Sequence, residues 1–320
     1  MFGVAATSFS PDSPLDGLHV GEVPDTVVPD GWVRVRVRAA ALNHHDLWSL
    51  RGVGLREEQL PMILGCDAAG VLDDGTEVVC HAVVGDPSHG DETLDPKRTL
   101  LSEKHPGTFA EQVAVPARNV VPKPPALSWE EAACVPTAWL TAYRMLFTMS
   151  GLRPGGTVLV QGAGGGVSTA LVVLARAAGH RVWVTSRDAA KGARAVALGA
   201  HEAFESGARL PERVDAVMET VGAATWEHSL RSLRPGGTVV VAGATSGAEP
   251  PADLRRVFFL QLRVVGSTMG TRAELESLLR LMDATGVRPE VDSVRPLAEA
   301  RAAFERLAAG ESFGKLVLTA

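Results

Sequence analysis

Residues 157–168 read Thr-Val-Leu-Val-Gln-Gly-Ala-Gly-Gly-Gly-Val-Ser, a short apolar run that leads into a cluster of glycines. The run from Thr157 to Gln161 is typical of a buried strand, and Val167 to Ala178 has the small and apolar residues of a packed helix. A second apolar run, Arg181 to Thr185, follows that helix. Strand, glycine loop, helix and strand in this order predict the first βαβ unit of a doubly wound α/β fold with a parallel sheet.

The same alternation continues along the chain, where strands are predicted at Asp215 to Met218, Thr238 to Val241 and Arg263 to Val265. The ten residues from Arg153, Arg-Pro-Gly-Gly-Thr-Val-Leu-Val-Gln-Gly, recur from Arg234 as Arg-Pro-Gly-Gly-Thr-Val-Val-Val-Ala-Gly. Either the two copies open corresponding halves of one sheet, or they share common turn chemistry.

The first third of the chain has strand patterns instead. Trp32 to Arg38 alternates apolar and charged residues, and further apolar runs lie at Gly75 to Val84 and Glu111 to Val115. Gly85 to Pro106 is polar and irregular, which predicts a surface lobe. The tail from Thr271 holds two helical patterns and a last strand, Lys315 to Leu318.

Length and charge restrict the function. A chain of 320 residues is expected to form two domains. A net charge of −6, without a long run of either sign, argues against binding to nucleic acid or anionic membranes. No secretion signal or membrane span is recognised, so a cytoplasmic protein is expected. Three widely spaced cysteines, Cys66, Cys80 and Cys134, argue against a disulfide framework or a structural zinc site.

The glycine loop predicts a nicotinamide dinucleotide site. Glycines let the backbone approach a pyrophosphate, and the following helix presents its N-terminal amides to it. The residues assigned to this role are Gly162, Gly164, Gly165, Gly166 and Val167.

The second strand ends in Ser186 and Arg187, and Lys191 follows. A hydroxyl and two cations suit the 2′-phosphate of NADPH, whereas NADH sites typically place a carboxylate there for the ribose hydroxyl. NADPH is therefore favoured over NADH. Asp188 leaves the NADH alternative open, and a solvated helix start is the structural alternative.

Several short motifs, in this order, resemble the medium-chain dehydrogenase/reductase superfamily, in particular its zinc-free quinone oxidoreductase branch. The resemblance covers nearly the whole chain. Besides the glycine loop, its markers are Ala-Leu-Asn-His-His-Asp-Leu-Trp at 41–48, Leu-Gly-Cys-Asp-Ala-Ala-Gly at 64–70, Gly-Thr-Phe-Ala-Glu at 107–111, Thr-Ala-Tyr at 141–143 and Phe-Gly-Lys-Leu-Val-Leu at 313–318. It implies a GroES-like β-rich catalytic domain of residues 1–122 and 268–320, interrupted by a Rossmann NADP(H)-binding domain of residues 123–267.

The chain departs from the family pattern at two places. Ser168 replaces a glycine that packs helix against strand, which predicts slightly wider packing there. The positions that match the catalytic zinc ligands are Asn43, Cys66 and Thr137, of which only cysteine is a good zinc ligand. No zinc is expected, although the histidines and cysteines at 44, 45, 66, 80 and 81 keep a metal site conceivable.

The resemblance also implies the roles of single residues. Asn43 and Thr141 are expected near the nicotinamide or its ribose, and Gly243, Ala244 and Leu260 on its other side; Lys315 is assigned to the cofactor site as well. Asn43, His44 and Thr137 are the candidate catalytic residues. Asn43 is alternatively a turn residue, and His44 or His45 is either a proton donor or a structural histidine. Tyr143 is expected in the core, and Asp46 and Asp67 are expected to fix loops through backbone amides.

Without a Lewis acid, the site suits reduction of an electrophilic acceptor better than oxidation of an alcohol. We therefore predict an NADPH-dependent reductase that transfers hydride to a quinone or an α,β-unsaturated carbonyl of a small molecule. The alternatives are a zinc-free alcohol dehydrogenase-like or biosynthetic enoyl reductase and, as a different class, a non-catalytic nucleotide-binding protein of crystallin or sensor type. By analogy with the family, the edge near Arg263 to Thr268 predicts a homodimer.

Overall fold

The chain divides into two compact units. The computed structural model describes residues 1–320, apart from the side chain of residue 89. The first unit comprises Met1–Ala138, Gly270–Ala284 and Arg288–Ala320, and the second comprises Trp139–Met269 and Thr285–Val287. The first unit is thus discontinuous in sequence.

The helices and strands follow the chain in three groups. In the first stretch they are β1 (Phe2–Ala6), β2 (Leu18–Glu22), β3 (Trp32–Ala41), α1 (His44–Leu50), β4 (Met62–Ile63), β5 (Asp67–Leu72), β6 (Glu77–Cys80), β7 (Val83–Val84), β8 (Thr99–Leu100), β9 (Gln112–Pro116), β10 (Val120–Pro122) and α2 (Trp129–Ala133). In the second unit they are α3 (Leu140–Tyr143), β11 (Thr157–Val160), α4 (Gly166–Ala177), β12 (Arg181–Ser186), α5 (Ala189–Leu198), β13 (Glu202–Glu205), β14 (Val214–Glu219), α6 (Ala223–Ser232), β15 (Leu233–Val241), α7 (Leu254–Phe259) and β16 (Arg263–Gly266). The final stretch contains α8 (Arg272–Thr285), β17 (Val291–Pro296), α9 (Ala300–Ala308) and β18 (Lys315–Thr319).

The first unit is built on a mainly antiparallel sheet. Its strands lie in the order β10-β6-β5-β3-β18-β17, and β9 also pairs with β3. The alternation of β3 buries Val35 and Val37 in a core shared with Leu64, Phe109 and Leu316, whereas Arg34 and Arg36 are exposed. The last strand, β18, lies between β3 and β17 and so returns the chain's final residues to this core.

The second unit contains a six-stranded parallel sheet. Its order is β13-β12-β11-β14-β15-β16, and every neighbouring pair is parallel. This is the doubly wound arrangement, in which the strand order reverses between β11 and β14. Ligands of such sheets bind at the carboxyl ends of the strands beside that reversal. The predicted fold class is therefore confirmed.

The sequence repeat forms the same turn twice. Gly155, ahead of β11, and Gly236, in the first half of β15, have positive φ values of 83° and 74°, and the two strands pair with β14 on its two sides. The sheet has one half of β11, β12 and β13 and another of β14, β15 and β16. The two copies do not hold equivalent places, because β11 is the first strand of its half whereas β15 is the second strand of the other. The prediction of corresponding positions was wrong, because strand order is set by crossovers that a local repeat does not encode.

Two expectations about segments need correction. Residues 123–138 were expected in the second domain, but they group with the first unit, where α2 packs on β3 and β5. The lobe from Gly85 to Pro106 is only partly a surface feature, since Glu92, Thr93 and Ser102 are buried and β8 pairs with β7. Throughout the described chain, no helix combines the length and the apolar character needed to cross a bilayer.

Candidate active site

The glycine loop connects β11 to α4 in the second unit. Gly162 and Gly164 adopt φ values of 77° and 99°, which side-chain-bearing residues rarely adopt. The Gly162 N–H donates to the Thr185 hydroxyl at 3.1 Å, and Gly165 occupies the N-cap position of the twelve-residue helix α4. An open helix N-terminus behind a glycine turn fits the pyrophosphate of a dinucleotide.

Ser168, the departure from the family loop, is accommodated within the first turn of α4. Its side chain is buried, and its hydroxyl donates to the Gly165 carbonyl at 3.0 Å. The hydroxyl thus finds a partner in its own turn and leaves no unpaired polar atom against the strand.

The end of β12 presents the residues assigned to the 2′-phosphate. The Asp188 carboxylate caps α5, accepting from the N–H groups of Ala190 at 2.8 Å and Lys191 at 3.2 Å. The Ser186 hydroxyl closes a local turn with Asp188, while Arg187 is exposed and lines an open groove of about 660 Å³. The carboxylate that an NADH site would direct to the ribose is therefore engaged as a helix cap, and the guanidinium of Arg187 faces solvent.

The other residues assigned to the cofactor in this unit lie after β15, directly after α7 and in α3. Gly243 lies so close to Thr220 that a Cβ would come within 2.9 Å of the Thr220 carbonyl oxygen, and Ala244 is half-buried beside it. Leu260 packs against the core of the unit, and Thr141 is buried in α3.

A buried polar cluster in the first unit surrounds Asn43. The Lys315 ammonium group donates to the Leu42 carbonyl at 2.6 Å, to Asn43 Oδ1 at 2.7 Å and to Asp67 Oδ2 at 3.1 Å. Asn43 Nδ2 also donates to Asp67 Oδ2, at 2.9 Å. Both oxygen and nitrogen of the Asn43 amide are thus bonded within the unit, and all three donors of Lys315 have partners.

The two aspartates differ in what they hold. Asp46 accepts from the N–H groups of Asn43 at 2.8 Å and Gly65 at 3.2 Å, so its expected loop-fixing role is confirmed. Asp67 bonds the Asn43 and Lys315 side chains instead of backbone amides, and its Oδ1 is buried without a hydrogen-bond partner among the described residues.

His44 and His45 open helix α1 but have different surroundings. The His44 side chain is exposed at the surface of α1. Its pKa is nevertheless lowered, first because neighbouring protein atoms remove part of its hydration and then because Lys315 and Arg51 are positively charged. His45 lies between Cys66 and Glu103, with Nδ1 3.6 Å from the Cys66 sulfur and Nε2 3.1 Å from Glu103 Oε1.

The charge state of His45 follows from these neighbours. Burial disfavours the imidazolium, but Cys66, Glu103 and Asp46 outweigh burial and raise the pKa of His45 well above its ordinary value. Burial also raises the pKa of the Cys66 thiol, so this thiol is neutral at neutral pH. The lasting counter-charge is therefore Glu103, whose pKa is lowered because the His45 hydrogen bond outweighs its partial burial.

The positions aligned with zinc ligands do not fit a zinc site. Asn43 is bonded to an ammonium group, and the Cys66 thiol donates to the Leu101 carbonyl at 3.2 Å, whereas a zinc-bound cysteine is a thiolate. Thr137 Oγ1 is buried and unpaired among the described residues. In the part of the chain that the structure describes, no three His, Cys, Asp or Glu side chains are grouped to hold a metal ion.

The structure brings together some of the predicted residues and adds others. Asn43 and Lys315 meet, although they are 272 residues apart. Glu103 was missed because it lies in an irregular lobe whose partner, His45, is 58 residues away. Gln161 and Glu219 were also missed, although a polar residue at or directly after the carboxyl end of a buried strand is a usable signal.

Comparison with known proteins places this architecture in a family. Residues 29–125 match the alcohol dehydrogenase GroES-like domain, and residues 166–284 match the zinc-binding dehydrogenase domain. The chain is 31% identical to acryloyl-coenzyme A reductase of Metallosphaera sedula, with 95% of this chain and 96% of that protein covered. The chain belongs to the medium-chain dehydrogenase/reductase superfamily. It is an oxidoreductase of this superfamily.

Other superfamily members are similar over the whole chain. One is a crystal structure of an NAD-dependent alcohol dehydrogenase, with a TM-score of 0.92, 35% identity and full coverage of both chains. Another is the 2-octenoyl-CoA carboxylase reductase CinF in complex with NADP and 2-octenoyl-CoA, with a TM-score of 0.90, 25% identity and coverage of 99% and 87%. The chain is also 32% identical, over 95% of its length, to the spectinabilin polyketide synthase system protein NorB of Streptomyces orinoci, but it spans only 14% of that protein.

Proposed function

We propose that this oxidoreductase uses NADPH to reduce an α,β-unsaturated carbonyl compound without zinc. The observation that carries the proposal is the donor set at the aligned zinc positions. Asn43 and Thr137 are poor zinc ligands, and the thiol of Cys66 is held protonated by burial. Without a Lewis acid, an acceptor must already be electrophilic.

The residues after β12 support NADPH. Arg187 and Lys191 supply positive charge, and Asp188 is engaged in capping α5. Guanidinium and ammonium groups pair well with a 2′-phosphate. The NADP complex of the octenoyl-CoA reductase agrees with this choice, whereas the NAD-dependent alcohol dehydrogenase does not, so both cofactors must be measured.

Conjugated thioesters are the first acceptors to test. Relatives named for acryloyl-CoA and 2-octenoyl-CoA act on double bonds conjugated to a thioester carbonyl. Quinones remain the second acceptor class, because they are also electrophilic without a metal. A bound NADPH would supply the hydride.

The chain's own residues would bind the cofactor, orient it and supply a proton to the reduced substrate. The amides of the glycine loop would hold the pyrophosphate, and Arg187 with Lys191 would hold the 2′-phosphate. The Asn43 amide is held in one orientation by Lys315 and Asp67, which suits the positioning role that the family resemblance implies for it. Protonated His45, paired with Glu103, is a suitable acid for the second step of enone reduction. His44 is the alternative only in its imidazolium form, which its lowered pKa disfavours at neutral pH. Quinone reduction would take its protons from solvent.

The test is anaerobic oxidation of NADPH and NADH by untagged protein with enoyl-CoA thioesters, enals, naphthoquinones and simple ketones as acceptors. We expect turnover with NADPH and conjugated carbonyls, and much less than one equivalent of zinc by metal analysis. Reduction of simple ketones alone, or stoichiometric zinc, would favour an alcohol dehydrogenase. Tight NADPH binding without turnover of any acceptor would favour a non-catalytic nucleotide-binding protein.

The choice of cofactor is tested at Arg187. Arg187→Ala should raise the KM for NADPH about tenfold and leave the KM for NADH nearly unchanged, because only NADPH carries the 2′-phosphate. Arg153→Ala is the matched control, since Arg153 is also exposed in this unit but precedes β11 at the opposite end of the sheet. Equal effects of Arg187→Ala on both cofactors would refute the assignment.

We also propose a homodimer formed through the β16 edge. β16 is the last strand of the six-stranded sheet, and the neighbouring helix α7 exposes Leu254, Phe258 and Phe259. A second copy would continue the sheet and cover these side chains.

A further inference from the structure

A directed chain of hydrogen bonds crosses the carboxyl end of the sheet in the second unit. It starts at Gly162, whose N–H donates to the Thr185 hydroxyl at 3.1 Å, and the Thr185 hydroxyl donates to Gln161 Oε1 at 2.6 Å. Gln161 Nε2 donates to the Ser229 hydroxyl at 3.0 Å, which donates to Glu219 Oε2 at 2.5 Å. Each donor thus points toward the Glu219 carboxylate, an arrangement in which successive bonds strengthen one another.

His228 fixes the direction of this chain. Its Nε2 lies 2.8 Å from the Ala208 carbonyl oxygen, which can only accept, so Nε2 carries the proton. Its Nδ1 then accepts from Gln161 Nε2 at 2.9 Å. The Gln161 amide is therefore held with its oxygen toward Thr185 and its nitrogen toward Ser229.

Glu219 is the acceptor on which the chain ends. Its side chain is fully buried at the end of β14. Besides Ser229, it accepts from the N–H groups of Val221 at 2.8 Å and Gly222 at 3.0 Å, and the Thr225 hydroxyl lies 2.9 Å from both oxygens. The backbone N–H groups of Val221 and Gly222 can only donate, so an amide at this position would have to turn its NH₂ group toward the hydroxyls of Ser229 and Thr225. The Ser229 hydroxyl would then accept instead of donate, which reverses the last bond of the chain.

The turn that Glu219 holds is bonded to the loop after β15. The Ala242 N–H donates to the Glu219 carbonyl at 2.9 Å, and the Ser246 N–H donates to the Val221 carbonyl at 2.7 Å. Gly243 packs directly on Thr220. The network therefore joins the glycine loop, the end of β12, the turn after β14 and the loop that carries Gly243 and Ala244.

We propose that Glu219 is a positioning residue of the cofactor site, acting through Ser229, Gln161 and Thr185 on the glycine loop. These segments flank the point between β11 and β14 where the strand order reverses, which is where doubly wound sheets bind dinucleotides. The inference rests on the proposed function in one respect, that the chain binds NADPH.

A purely structural role is separated from this one by a matched carboxylate. Asp215, in the same strand, accepts from the Thr157 N–H at 2.7 Å and from Arg234 Nε at 2.5 Å, at the opposite, amino end of the sheet. Asp215→Asn and Glu219→Gln each turn a bonded carboxylate into an amide. The two variants should both lower stability toward urea, but only Glu219→Gln should weaken NADPH binding, by about tenfold in Kd.

Calorimetric titration of both variants with NADPH decides the matter. If Glu219→Gln binds NADPH as tightly as Asp215→Asn does, the inference is overturned. If the wild-type chain itself does not bind NADPH, the proposed function fails first.

Two smaller changes test the chain of bonds if Glu219→Gln does not fold. Thr185→Val and Ser229→Ala each remove one hydroxyl and retain most of the side-chain volume. If the network is connected, each single variant raises the Kd for NADPH. The Kd of the double variant should then be only slightly higher than that of the single variant that binds NADPH less tightly. Independent, multiplicative effects, or no effect of either variant, would overturn the proposal.

Discussion

Asp46 is a buried carboxyl group whose ionisation the fold opposes. Burial raises the pKa of Asp46 to about 6, although the nearby His45 and the Asn43 N–H favour its charged form. An aspartate in the unfolded chain titrates near pH 4. The stability contributed by neutral Asp46 is therefore fully present below about pH 4 and is lost as the pH rises through about 6.

Asp46→Asn should remove this dependence. Between pH 4 and pH 7, its free energy of unfolding should improve relative to wild type by on the order of 3 kcal/mol. Urea unfolding at several pH values measures the change. Asp215→Asn is the control, and its free energy of unfolding should change relative to wild type in the opposite direction over this pH range. Burial would raise the pKa of Asp215, but hydrogen bonds from Thr157 and Arg234 outweigh it and lower the pKa. Parallel pH curves for wild type and Asp46→Asn would contradict the prediction.

Glu103 controls the proton on His45. Glu103→Gln should lower the pKa of His45, because it removes the counter-charge that remains at neutral pH. The stability that protonated His45 contributes is fully present below about pH 6.5 and is lost as the pH rises through the raised pKa of His45. In Glu103→Gln this pKa is lower, so the stability should be lost at a lower pH. Proton NMR titration of the imidazole measures the shift, with the exposed Glu58→Gln as control. An unchanged His45 titration would show that Cys66, not Glu103, determines its charge.

At the scale of elements, the turn between β14 and α6 depends on Gly222. Gly222 has a φ of 91°, and a Cβ there would lie 2.4 Å from the Gly247 carbonyl oxygen. Gly236, in the turn that enters the core of β15, has a φ of 74°, but a Cβ there would meet only the Arg234 side chain, at 3.8 Å.

Replacing the two glycines by alanine should lower the free energy of unfolding by different amounts. Gly236→Ala should cost about 1 kcal/mol from backbone strain alone, whereas Gly222→Ala should cost about 3 kcal/mol or more because the backbone clash adds to the strain. Urea unfolding of both variants measures the difference. Equal losses would mean that the β14–α6 turn relaxes without cost.

Elements with a strong local pattern were predictable from the sequence. The alternation from Trp32 and the glycine loop with its flanking strand and helix identified β3, β11 and α4 nearly to their ends. β13 and β17 were missed because they are short or half-exposed and lack clear alternation. Their places are set by the neighbouring strands, which sequence periodicity does not report.

For the whole molecule, the exposed apolar face beside β16 predicts self-association. Phe258 and Phe259 are 69% and 77% exposed, which is unusual for phenylalanine. Phe259→Asp should convert a dimer to a monomer, as measured by light scattering coupled to gel filtration. Val196→Asp changes a residue of 42% exposure on α5 and should leave the mass unchanged. A wild-type chain that is monomeric at all concentrations would contradict the proposed dimer.

The candidate site was only partly visible in the sequence. Motifs assigned Asn43 and Lys315 to it, but their contact with Asp67 depends on β18 pairing with β3, which is a property of the complete sheet. The partner of Glu103, His45, is 58 residues away in the sequence. The side-chain partners of Glu219 are serine and threonine hydroxyls, residue types that occur throughout the chain. Long-range contacts of this kind leave no local pattern.

The position of β18 has a consequence for the order of events during synthesis. The six strands of the parallel sheet come from one continuous stretch, so that sheet can assemble while the ribosome is still adding residues. β3 lacks its neighbour β18 until residues 315–319 emerge, and until then Asp67 lacks the ammonium group of Lys315. A chaperone that shields the exposed side of β3 during this interval would protect the nascent chain from mispairing.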